Sequence, residues 1–205
     1  MPEATIQTIA VIGAGVMGRQ VAWACARHGL TVRLFDTDPA TALDARRQAQ
    51  VWLVEDLVPL QVAEAFLARF HVAETLNQAV MGADLVFENV PEVVELKRAL
   101  YAQVEPLLAR NALLGSNASS IPWTPLARDL TGPDRFFLAN FASPRTSRLV
   151  EYMGGEATAS STRATALAWI RRIGMIPVPI DKEIMGYAGN RIWRAIKKES
   201  LFLAD

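Results

Sequence analysis

The sequence predicts an α/β protein: a Rossmann-like, doubly wound, mostly parallel sheet, followed by the start of an α-helical domain. Two observations carry this. Short apolar, β-branched runs alternate with amphipathic helical segments along most of the 205 residues, as in a parallel sheet buried between helices. The first run stops at a glycine-rich turn, Gly13-Ala14-Gly15-Val16-Met17-Gly18, which opens a helix.

The elements follow in order. TIAVIG (8–13) reads as a buried strand ending at glycine. VMGRQVAWACARHG (16–29) has helical apolar spacing and stops at Gly29. TVRLFD (31–36) is the second strand, which completes a βαβ unit. Residues 40–70 read as helical, and His71 starts an edge strand. DLVFENV (84–90) is a buried strand, and PEVVELKRALYAQVEPLL (91–108) is a helix opened by proline and acids. ALLGSNAS (112–119) is a strand and its loop, and IPWTPLARDL (121–130) a short helix. RFFLANFA (135–142) and LVEYMGG (149–155) are strands. STRATALAWIRRIG (161–174) is a helix closed by Gly174, and MIPVPI (175–180) the last strand. From Met185 onward a single helix is expected. It stops mid-pattern, which suggests a fragment or a helical domain to follow. No internal repeat or low-complexity segment is present.

Composition narrows the function. Apolar residues make up 51% and charged residues 20%, and the net charge is zero, so nothing points to nucleic acid or an anionic membrane. The single cysteine, Cys25, falls within a helix; it reads as a small buried residue and excludes a disulfide framework. No apolar run reaches membrane-spanning length. The N-terminal MPEATIQTIAVIG lacks the basic and apolar regions of a signal peptide. A cytoplasmic protein is the default expectation.

The chemistry begins at the glycine turn. Gly13 permits the tight turn, Gly15 lets the backbone approach a pyrophosphate, and Gly18 lets the helix pack on the sheet. The helix N-terminus supplies free N–H groups and a positive dipole end. Asp36 lies 18 residues beyond Gly18, at the end of the second strand. There its carboxylate can accept both adenosine ribose hydroxyls and would repel a 2′-phosphate, so NAD is expected over NADP. A glycine turn in some other α/β protein is the alternative.

The motifs VIGAGVMG, the acid of FDTD, ENVPEVVELK, SNASS, F-x-SP…LVEYM and GYAGNR occur in order at matching spacing. Together they resemble the NAD-binding domain of the 3-hydroxyacyl-CoA dehydrogenases over nearly the whole chain. The resemblance implies that Glu92 and Lys97 lie beside the nicotinamide half of the cofactor. It adds Val16, Met17 and Asn117 to the cofactor site formed by Gly13, Gly15, Gly18 and Asp36. It implies that Ser119 hydrogen-bonds the substrate hydroxyl, that Glu151 orients and charges a catalytic histidine, and that Asn190 is an active-site asparagine. The reaction it implies is oxidation of a secondary alcohol to a ketone, as in fatty acid metabolism, on a 3-hydroxyacyl thioester or a small hydroxy acid. Residues 1–183 would form the NAD-binding domain. Residues 184–205 would be the first helix of a C-terminal helical domain, through which the family forms homodimers.

The chain departs from that pattern in two places. The family's histidine falls on Asn140, whose amide cannot take up a proton near neutral pH, and the asparagine three residues on is Ser143. Losing such a base lowers the rate on the order of a hundred- to ten-thousandfold. Asn140 is then either a natural replacement or an engineered inactivating change. The only histidines, His28 and His71, read as structural, and Lys182 and Tyr187 lie near the cleft only by sequence order. The family's CoA-binding helical hairpin corresponds to about residues 42–72. Here that segment holds Arg46, Arg47 and Arg69 and no lysine, and it looks short. Some relatives instead oxidise free hydroxy acids such as carnitine or gulonate, and others act on carrier-protein-bound acyl groups.

Taken alone, several of these residues allow plainer roles. Glu92 and Lys97 read as surface residues opening a helix, with the acid favoured by the dipole. Ser119 could cap the following helix, and Asn190 could be an ordinary polar residue near a helix start. Glu151, in an apolar strand, needs a partner in any reading. A dehydrogenase, a non-catalytic NAD-binding module and a scaffold working through the last helix are the three functional classes left. The scaffold explains neither the glycines nor Asp36.

Overall fold

The computed structural model describes residues 5–203. Residues 1–4, which open the stretch searched above for a signal peptide, and 204–205, which end the last predicted helix, lie outside that range. The first half runs β1 (Thr8–Ile12), α1 (Val16–Arg27), β2 (Thr31–Phe35), α2 (Pro39–Glu55), α3 (Leu60–Leu67), β3 (Phe70–Val72), α4 (Leu76–Val80), β4 (Leu85–Glu88) and α5 (Val94–Val104). The second runs β5 (Leu113–Ser116), α6 (Trp123–Ala127), β6 (Phe136–Phe141), β7 (Leu149–Met153), α7 (Ser160–Arg172), β8 (Ile176–Ile180) and α8 (Tyr187–Phe202). The strands form one eight-stranded sheet in the order β3-β2-β1-β4-β5-β6-β7-β8.

The central strands are apolar on both faces because helices cover both. Along β1, Ile9 and Val11 pack into one core with Val21, Leu34 and Trp169, while Ala10 and Ile12 pack into the other with Val86, Tyr101 and Leu114. This is the two-residue period of a strand buried on both sides. The chain winds outward from β1 in one direction through β2 and β3, then in the other through β4 and β5. Such a reversal leaves a crevice at the carboxyl ends of the strands.

Two strands break the parallel pattern: β7 and β8 run parallel to each other and opposite to the other six. β7 runs antiparallel to β6, since residues 142–148 are too few for a parallel crossover. The hairpin register sets Asn140 directly opposite Glu151. Its loop rests on the first helices: Ser143 Oγ donates to Gln20 Oε1 at 2.9 Å, and the Arg145 guanidinium lies 4.8 Å from the Trp23 ring and 5.1 Å from that of Trp52.

Some boundaries differ from those read in the sequence. The helix expected from Pro91 starts only at Val94, because Glu92 is drawn away by other partners. The last helix starts at Tyr187, after Gly186 at φ +79°. The short α4 shows no apolar periodicity, although Thr75 caps it: Gln78 N–H donates to Thr75 Oγ1, and the Gln78 side chain accepts from Glu74 N–H. Cys25 is fully buried, and burial pushes its thiol up to about 12, so it stays protonated within the core.

Candidate functional site

The glycine turn has the shape the sequence implies. Gly13 adopts φ +90°, and a Cβ there would stand 2.9 Å from the Asn89 carbonyl. A Cβ on Gly18 would fall 1.8 Å from the Gly13 carbonyl oxygen, so α1 can sit against the turn only with glycine at that position. A Cβ on Gly15 would meet nothing within 4 Å. The outer side of the turn is therefore open, with exposed Val16 and half-buried Met17 beside it. The Asp36 carboxylate is held beyond β2 by Ala14 N–H at 2.7 Å and Asp38 N–H at 3.0 Å. An open turn at a helix N-terminus with a carboxylate at the end of the next strand fits a dinucleotide and its ribose.

The loops after β4 and β5 close the next part of the crevice. Glu92 does not serve its own helix. Its carboxylate accepts from the N–H groups of Ser119, Ser120 and Ile121, and from the hydroxyls of Ser119 at 2.7 Å and Ser120 at 2.8 Å. Partial burial works against its ionisation, but these donors outweigh it and hold the carboxyl at about 2. Ser119 is therefore not a helix cap; Pro122 precedes α6 and makes no side-chain cap bond. The surface reading of Lys97 is also overturned. Its side chain is 0% exposed and paired with Glu88, whose own exposure is 1%. Asn117 donates through Nδ2 to Asn89 Oδ1 at 2.9 Å and accepts from Phe141 N–H through Oδ1 at 3.4 Å.

The third part joins β6, β7 and α8. Asn140 Nδ2 donates to Glu151 Oε2 at 2.9 Å. Glu151 Oε1 accepts from the N–H groups of Ala188 at 2.9 Å and Gly189 at 2.8 Å, so the buried-side acid found its partner in the first turn of α8, where the helix dipole favours negative charge. Asn190, one residue further on, donates through Nδ2 to the Ser119 carbonyl at 3.0 Å. Ser119, Asn140, Glu151 and Asn190 thus come together from four separate elements, and Asn117 links them through β6 to the glycine turn.

Other candidates fall elsewhere. His28 caps the far end of α1, with Nδ1 2.8 Å from the Ala24 carbonyl, and His71 lies in edge strand β3. Tyr187 is fully buried; burial and the nearby carboxylates of Glu151 and Glu92 push its hydroxyl well above the ordinary tyrosine range, so it stays protonated and offers no base. A cavity of about 420 Å³ lies between α5 and α6 and is lined by none of the site residues expected from the sequence. Among the described residues no cluster of three or more His, Cys, Asp and Glu side chains could hold a metal ion. The sequence reading missed Glu88, Asn89, Ser116 and Tyr101. Its one available signal was an acid, Glu88, inside the apolar run of β4.

These features define a dinucleotide-binding domain of the Rossmann class. The chain belongs to the 3-hydroxyacyl-CoA dehydrogenase family: residues 8–184 match that family's NAD-binding domain. It is 34% identical over 202 residues to 5-formyl-3-hydroxy-2-methylpyridine 4-carboxylate 5-dehydrogenase of Mesorhizobium japonicum, covering 98% of this chain and 65% of the relative. It is 33% identical to L-carnitine dehydrogenase of Streptomyces coelicolor, covering 98% and 64%. The fold superposes on 3-hydroxybutyryl-CoA dehydrogenase of Escherichia coli K12 with a TM-score of 0.88 and 30% identity, over 96% of this chain and 44% of that one. The chain therefore spans about two thirds of the length of the curated relatives it matches.

Proposed function

We propose that the chain forms the cofactor-binding and substrate-oxidising part of an NAD-dependent dehydrogenase. Its substrate is a secondary alcohol, on a 3-hydroxyacyl thioester or a small hydroxy acid, which becomes the ketone. The observation that carries this reading is the set of hydrogen bonds at the start of α8, where Asn190 ties to Ser119 and the neighbouring Gly189 N–H ties to Glu151, which in turn holds Asn140. NAD, when held by Gly13, Gly15, Gly18 and Asp36, would supply the hydride acceptor. Ser119 Oγ gives its hydrogen to Glu92, which leaves its lone pairs to accept the substrate hydroxyl. Asn140 keeps one N–H and its carbonyl oxygen to hold the reacting oxygen, with its orientation fixed by Glu151. It cannot receive the alcohol proton, so that proton passes to water and oxidation is slow.

The free hydroxy acid is the preferred substrate class. Residues 42–72 carry no lysine for CoA phosphates, and relatives of this chain are named for carnitine and a pyridine carboxylate. Residues 184–205 begin a helical domain in this reading. The exposed Ile192, Trp193 and Ile196 on α8 support such a domain and a homodimer formed through it. No helix among the described residues is long and apolar enough to cross a membrane.

A second reading has a specific observation in its favour. Asn140 satisfies Glu151 without any titratable group, as expected of an NAD-binding homologue, natural or engineered, that does not turn over. The test is an NAD titration together with NADH production from a panel of 3-hydroxyacyl-CoA and free hydroxy acids, for the chain and for Asn140→His. In the dehydrogenase reading NAD binds both equally, and Asn140→His gains on the order of a hundred- to ten-thousandfold in kcat. NAD binding with no turnover by either protein on any substrate would leave only the binding module.

A further inference from the structure

We infer that the buried Glu88–Lys97 pair positions the far half of the dinucleotide crevice, and that Lys97 acts through the loops it holds rather than by touching the cofactor. Lys97 Nζ lies 2.7 and 2.9 Å from the two Glu88 carboxylate oxygens. It also donates to the Asn117 carbonyl at 3.0 Å and the Val90 carbonyl at 3.4 Å, and stands 3.4 Å from Ser116 Oγ. An ammonium has three donors, and these oxygens take all of them. With Lys97 at 0% exposure, no side of the charge faces the crevice. Glu88 is equally occupied: it accepts from Tyr101 Oη at 2.8 Å, from Val90 N–H at 3.0 Å and from the Ser116 hydroxyl.

The groups so tied are the loops at the carboxyl ends of neighbouring strands. Val90 follows β4 and Asn117 follows β5. Asn117 extends the tie to Asn89 and, through Phe141 N–H, to the strand that carries Asn140. Asn89 in turn backs directly against Gly13. One buried charge therefore sets the ends of β4, β5 and β6 relative to the glycine turn. The winding reverses between β1 and β4, so a dinucleotide lies across that point. Asp36, beyond β2, marks the adenosine side, which leaves the β4 and β5 loops for the nicotinamide side. Stability alone is a weak account of the pair, because a well-packed apolar replacement of a buried ion pair is often neutral or stabilising.

The inference rests on NAD binding and not on turnover, so it stands apart from the dehydrogenase reading. Its test is the double variant Glu88→Gln/Lys97→Met, which leaves no unpaired buried charge but removes every Lys97 bond to the loops. Calorimetric titration with NAD and, separately, with ADP reads the two halves of the crevice. We expect NAD binding to weaken about tenfold while ADP binding changes by less than about twofold, since the loss of charge-assisted bonds falls on one half only. An equal loss for both ligands, or no loss for either, overturns the proposal. Glu88→Gln/Lys97→Gln, which also leaves no buried charge but keeps an amide donor towards the loops, repeats the comparison at smaller amplitude. If neither variant folds, the pair belongs to the core and the positioning role is wrong.

Discussion

The glycine turn and the Asn140–Glu151 hairpin open on the same crevice but are built differently. Most of the turn is built within one βαβ unit, between Gly13 and Asp36, by backbone sterics and one carboxylate, with Asn89 after β4 backing Gly13. The hairpin site is assembled from four elements, and its closing bond, Asn190 to Ser119, spans 71 residues of sequence. The turn therefore rests mainly on local folding, with one backing contact from the end of β4, whereas the hairpin site exists only once β7 and α8 have docked. In the proposed dehydrogenase reading, cofactor binding and turnover are in consequence separable: a change at Asn140 would alter the second and leave the glycines, Asp36 and the α1 N-terminus as they are.

The sharpest test of that separation is Glu151→Gln made in two backgrounds. Next to Asn140→His it removes the charge that would orient and stabilise an imidazolium, and kcat should fall by up to about ten-thousandfold. With Asn140 in place it exchanges one hydrogen-bonding side chain for another, and turnover and NAD affinity should change little. Equal losses in steady-state NADH production in both backgrounds would mean that Glu151 serves only the fold. A smaller effect is expected at the other end of the crevice. In Gly18→Ala the new methyl meets the Gly13 carbonyl, and overpacking strain of about 1–3 kcal/mol should weaken NAD roughly ten- to a hundredfold. Isothermal titration reads this directly. The Asn140–Glu151 bond should survive unchanged, because the β6–β7 register and the α8 N–H groups hold it.

The smallest effect concerns pH and sits between the two regions, at Glu92. Its folded value of about 2 lies below its ordinary 4.5. The stabilisation this represents is fully present above about pH 4.5 and is lost as the pH falls towards 2. Glu92→Gln should flatten the dependence of Tm on pH inside that window and leave it unchanged above. A variant whose Tm falls as steeply with acid as the parent's would remove Glu92 from the account.

The sequence by itself determined the alternating α/β order, the glycine turn and the carboxylate after β2, because strand burial, helix periodicity and the steric needs of glycine are local properties. It also supplied the identities of Ser119, Asn140, Glu151 and Asn190, though each of them, taken singly, allowed a plainer role. Only the tertiary structure decided which partners these side chains meet. Glu92 left its own helix to collect the serines after β5, and Glu151 found its partner in backbone N–H groups of α8. Lys97 offered no sequence sign of being buried: helical spacing places a lysine on a face, but only the packing of α5 on the sheet reveals that Glu88 and two loop carbonyls wait beneath it. Long-range pairing of polar groups leaves no periodic trace in a chain, so the contacts that shape this site became visible only when the strands were set side by side.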